Sequence, residues 1–124
     1  MIMPFNWPWA MFGGGSSTVS PAEFEVIPTS GGNYLIPETQ ALIINVLLWP
    51  EDAIEDFQLI LPAGMVAGRR VFLYADKAVT NLTVTSAEPG AVVSNGAGSM
   101  SANDLTVFNT VSTTNKIWAR VATS

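Results

Sequence analysis

A 124-residue chain with a formal net charge of −5, five Lys and Arg in total, and neither Cys nor His sets aside several kinds of chemistry at once. Without Cys or His the chain offers no disulfide framework, no thiol nucleophile, no Ser-His triad and few of the usual zinc ligands. With so few basic residues, neither nucleic acid nor an anionic membrane surface is an expected partner.

Charged residues make up only 12% of the chain and hydrophobic ones 48%, whereas ordinary domains carry about 25% charge. A domain so poor in charge is expected to keep large apolar patches, which usually mark contacts. Obligate assembly is one reading of this, and a soluble monomer with a Ser/Thr/Asn surface is the other. The length suits one domain plus an appendage.

Residues 1–20 read as an extended arm. Pro4 and Pro8 oppose a regular helix and favour extended backbone, and Phe5, Trp7, Trp9, Met11 and Phe12 load the segment with apolar surface. A Gly/Ser stretch, residues 13–17, reads as a flexible joint. No basic residue precedes the apolar run and two prolines interrupt it, so mature sequence is expected rather than a signal peptide. An uncharged aromatic segment must be covered, either by its own domain or by a neighbouring chain. Aromatic enrichment at interfaces favours the neighbour, which makes Phe5, Trp7, Trp9, Met11 and Phe12 candidate partner-binding residues.

Residues 21–124 read as a single β-domain. EFEVI (23–27) alternates polar and apolar residues and stops at Pro28, a strand signal, and residues 29–33 form a turn cluster. ALIINVLLW (41–49) is apolar on both faces and ends at Pro50, so it reads as a central strand buried from two sides. It is the longest apolar run, interrupted by Asn45, and is far short of the ~20 residues a membrane span requires. Glu51, Asp52, Glu55 and Asp56 form the densest charge cluster. Four carboxylates in one segment suit a hard cation, but the spacing lacks the glycine and order of a calcium loop, and a solvated acidic turn is the favoured reading.

Further strands are expected at 57–61, 69–75, 79–85, 91–93, 105–111 and 116–121, with turns or loops at 62–68, 88–90, 95–103 and 112–115. Strands about ten residues apart without a convincing helix indicate an antiparallel β-sandwich or jelly roll. No internal repeat stands out. Arg69 and Arg70 open a strand and suit an inter-subunit ion pair with the acidic cluster, or an ordinary solvated strand end. Trp118 alternates with Ile117 and Ala119 and suits a core or a subunit interface better than a sugar platform. No catalytic residue and no cofactor site is expected.

The order FQLILPAGMVAGRRVFL (57–73), AVTNLTV (78–84), ANDLTVF (102–108) and KIWARV (116–121) resembles a small β-domain of virion proteins in tailed bacteriophages. It covers about half of the chain. Two positions depart from the pattern: Ala67 stands where Asp is common, and Ala119 follows Trp118 where an aromatic is common. The resemblance implies a non-enzymatic virion accessory protein, often trimeric. That means a capsid decoration (cement) protein bound to the major capsid protein or another virion protein, or else a tail-appendage adaptor or receptor-binding tip.

Overall fold

Short apolar runs closed by Pro, Gly and Asn become strands. A computed structural model describes residues 20–123, and among them the chain forms ten strands and no helix. These are β1 (Ala22–Val26), β2 (Gly32–Leu35), β3 (Ile43–Leu48), β4 (Ile54–Leu61) and β5 (Arg70–Ala75). The second half adds β6 (Val79–Ser86), β7 (Val92–Ser94), β8 (Ala97–Met100), β9 (Asp104–Ser112) and β10 (Ile117–Thr123). They make a six-stranded sheet in the order β1-β3-β5-β9-β10-β7 and a four-stranded sheet in the order β2-β4-β6-β8.

The all-β reading holds, but the antiparallel sandwich or jelly roll does not. The first six strands alternate between the sheets, and each of β1 to β4 pairs in parallel with the strand two places on. Ala22 lies beside Ile44 and Ile44 beside Val71, while in the other sheet Gly32 lies beside Phe57 and Phe57 beside Leu82. The chain therefore winds through three stacked coils, β1–β2, β3–β4 and β5–β6, in a solenoid-like arrangement. Parallel neighbours need a long crossover, usually a helix; here a strand of the opposite sheet supplies it. Antiparallel pairing is confined to the C-terminal part, where β9 joins β5 and β10, and β8 joins β6.

Alternation along each strand sends every second side chain between the sheets. Ile44, Val46 and Leu48 of β3 and Val71, Leu73 and Ala75 of β5 meet Phe57, Leu59 and Leu61 of β4, all of them buried. Phe108 and Trp118 close the same core from the antiparallel end. Fully burying a side chain of this kind contributes roughly 1.5–3 kcal/mol, so this layer is the main source of stability. In β6 the pairing with β8 shifts between Val79 and Leu82, which lets Val79, Leu82 and Val84 all turn inward. Simple alternation in VTNLTVT predicts otherwise, and the irregularity resets the phase.

Candidate interaction surface

The outer faces of the two sheets differ in chemistry. On the four-stranded sheet, Asn33, Gln58 and Thr83 stand side by side across three strands. Gln58 Nε2 donates to Thr85 Oγ1 at 3.0 Å, and Asn81 Nδ2 donates to Asp56 Oδ1 at 3.1 Å. This face is largely polar and suited to water.

On the six-stranded sheet the outward positions are mostly apolar. One row runs Leu47, Tyr74, Leu105, and the next runs Asn45, Phe72, Val107. All six side chains are half-buried, and the five apart from Asn45 form a patch over the centre of the sheet. Val111 and Val121, toward the β9–β10 end, are 60% and 57% exposed. The signal was present in the sequence, because RVFLY alternates two apolar sets and leaves β5 without a polar face. A strand of that kind is normally covered on both sides.

One border of the patch is fixed by Trp49. Its ring meets Tyr74 edge-on with centroids 5.8 Å apart, and its Nε1 donates to Glu25 Oε1 at 3.0 Å. Tyr74 in turn donates its hydroxyl to Asn103 Oδ1 at 2.8 Å. Beside the patch, a third row runs Ile43, Arg70, Asn109, Ala119. Glu23 and Glu25 stand outward on the edge strand β1, next to Asn45 and Leu47.

The residues singled out by sequence are placed as follows. Phe5, Trp7, Trp9, Met11 and Phe12 lie outside the described residues. Arg70 is exposed on the outer face. Arg69 is buried, and it donates from Nε to the Ala41 carbonyl at 3.0 Å and from Nη2 to the Thr39 carbonyl at 2.6 Å. Burial pushes its pKa below the ordinary guanidinium value. Gly68 makes this inward turn with φ of +80°, a conformation that glycine adopts readily. Trp118 is fully buried in its own core. Of the three residues expected between subunits, Arg69 and Trp118 thus belong to the interior of their own chain, and only Arg70 faces outward.

The acidic cluster does not act as a unit. Glu51 and Asp52 are exposed in the bend before β4, buried Ile54 anchors that strand, and Asp56 faces Asn81. Among the described residues no group of three or more carboxylates is placed to hold a metal ion. The depressions in the surface are open and of mixed lining. One, of about 480 Å³, is lined by Glu38, Thr39, Ala63, Val66 and Arg69. Another, of about 330 Å³, lies between Ile27, Pro28, Glu51 and Asp52.

No protein-family model, no curated protein and no solved structure matches this chain.

Proposed function

We propose that this chain is a non-enzymatic structural protein of a phage virion, a homotrimeric decoration (cement) protein whose β-domain assembles through the outer face of its six-stranded sheet. The observation that carries the reading is the contrast between the two outer faces: one is mainly polar, with Leu35 beside Ile60 as its apolar pair, while the other presents Leu47, Phe72, Tyr74, Leu105 and Val107 side by side. Contiguous apolar surface of this kind marks a contact, and a closed ring uses one such patch on every copy.

The virion setting rests on the sequence resemblance over residues 57–121 and on the low charge of the chain. In this reading the aromatic segment, residues 1–20, grips the major capsid protein or another virion protein. Buried apolar area, at roughly 25 cal/mol per Å², then cross-links shell subunits without any chemistry.

One observation favours a second reading, a tail-appendage adaptor or receptor-binding tip. The first coil leaves an open end to the stack, and on it Ile27 and Leu35 are 70% and 53% exposed. An open coil end suits end-on attachment to another stacked protein.

Co-sedimentation of the purified protein with undecorated shells decides between them. A trimer that sediments with shells and raises their resistance to heat supports the cement reading. A trimer that ignores shells and binds tails or host cells supports the adaptor reading, and a monomer that binds nothing overturns both.

A further inference from the structure

We infer that the occupant of the apolar outer face is a second copy of this chain, set in register by Arg70 of one copy against Glu23 of the next. The inference rests on the reading of that face as an assembly surface and adds the partner and the contact that orients it.

The chain has five basic side chains, all within the described residues. Four have partners. Arg69 donates to the carbonyls of Thr39 and Ala41. Lys77 pairs with Asp76 at 3.5 Å and Lys116 with Glu88 at 3.2 Å. Arg120 donates from Nε to Thr106 Oγ1 at 2.8 Å and from Nη2 to the Ser99 carbonyl at 3.1 Å. The Arg70 side chain alone has none among the described residues. It stands exposed at the start of β5, on a central strand of the sheet, between outward Ile43 and Asn109 and two positions from Phe72.

An arginine on a face about to lose its water needs an acceptor, because an unpaired charge there opposes the contact. The same face carries the acceptor two strands away, on β1. Of the two carboxylates there, Glu25 already receives Trp49 Nε1, while Glu23 has no partner among the described residues. Glu23 lies in the row of Asn45 and Phe72, two strands across and two residues along from Arg70. At about 4.8 Å per strand and about 3.3 Å per residue their backbones are roughly 12 Å apart, and the two side chains do not pair within the chain. Between copies, in a closed ring, Arg70 of each copy meets Glu23 of the next, so every copy uses both ends of the pair once. The apolar rows supply the contact area, and the charges select one register over the slipped alternatives.

The test is sedimentation velocity and equilibrium on the full chain, comparing wild type, Arg70→Glu, Glu23→Arg and the double exchange. Circular dichroism and urea midpoints serve as folding controls, which both exposed positions should leave unchanged. Each single exchange is expected to weaken association about tenfold or more, and the double exchange to restore it to within about threefold. Raised salt should weaken the wild type and leave the Arg70→Met variant nearly unaffected. If wild type is a monomer at every concentration, the assembly reading itself fails and this pairing with it. If wild type assembles and Arg70→Glu assembles equally well, the pairing is wrong and the assembly reading stands. Single exchanges that weaken association without rescue by the double exchange would overturn Glu23 as the acceptor.

Discussion

Arg69 reaches back to Thr39: its Nη2 donates to the Thr39 carbonyl at 2.6 Å, and its Nε to the Ala41 carbonyl at 3.0 Å. One buried guanidinium thus ties the β2–β3 connection to the end of the β4–β5 loop, fastening successive coils where strand pairing stops. Replacing it with Met removes both donors and leaves two carbonyls short of a partner. Arg69→Met should cost on the order of 2–4 kcal/mol, read as a fall in the urea midpoint at unchanged slope. Arg69→Lys should recover only part of that, because a single ammonium does not reproduce the fork. A loss below about 0.5 kcal/mol, the size of an ordinary surface change, would show that the carbonyls are equally well served by water.

The same residue shows how far the sequence could be read. Strand positions followed from apolar periodicity, so β5, β6, β9 and β10 fall close to where alternation and turn residues put them. The strand pairing did not follow, because alternation along a strand is the same in parallel and antiparallel ladders. The coils also share no residue pattern: Ala22, Ile44 and Val71 stack through backbone register and not through a repeated motif. Gly32 and Asn33 read as a turn yet open β2, and the Gly/Ser-rich stretch before Met100 holds β8. In both places a neighbouring strand imposes pairing on residues with weak preference of their own. The inward turn of Arg69 was hidden for a related reason, since nothing in GRR says which arginine goes in. The interaction face was partly legible in the two apolar sets of RVFLY, but its neighbours on β3 and β9 become visible only with the register.

Trp118 offers a cleaner separation of packing from hydrogen bonding. The ring is fully buried in the core, and its Nε1 finds no acceptor among the described residues. Trp118→Ala should therefore cost about 3–5 kcal/mol, the range for large aromatic truncations. Trp118→Phe should cost well under half of that, because it keeps most of the contact and removes an N–H that is already unpaired. Chemical denaturation of both variants tests this. Equal losses would mean that Nε1 has an acceptor after all, such as an ordered water.

Glu88 is placed to contribute to the acid limb of stability. Its Oε1 accepts the Gly64 amide at 2.8 Å, and Lys116 Nζ lies 3.2 Å from Oε2. The Gly64 bond first and Lys116 second hold its pKa below the ordinary value of 4.5. A carboxyl depressed in the folded state binds its proton more readily when unfolded. Its stabilising contribution is therefore complete above the unfolded pKa and is lost as pH falls through the lower, folded one. Wild type should lose stability between the ordinary carboxylate range and more acid pH, and Glu88→Gln should be weaker at neutral pH with a shallower acid limb. Urea midpoints measured from pH 7 down to about pH 3, which spans the ordinary glutamate pKa, provide the comparison. Parallel limbs for the two proteins would remove Glu88 from the explanation.

The last prediction separates the β-domain from the segment that precedes it. The buried layer described above draws on side chains from Ile36 to Trp118, and both sheets are built from residues 22–123. Deleting residues 1–15 should therefore leave a cooperative urea transition with a midpoint close to that of the full chain. Binding to shells should be lost, since Phe5, Trp7, Trp9, Met11 and Phe12 go with the deletion. If the truncated chain also keeps its self-association, the two contacts are independent: copies meet through the outer sheet face, and the aromatic segment serves the larger partner. If the truncated chain unfolds or aggregates, the aromatic segment covers its own domain, and the apolar face is then an internal surface awaiting that cover. Sedimentation of the truncated protein distinguishes these outcomes directly, because loss of folding, loss of the ring and loss of shell binding each give a different boundary.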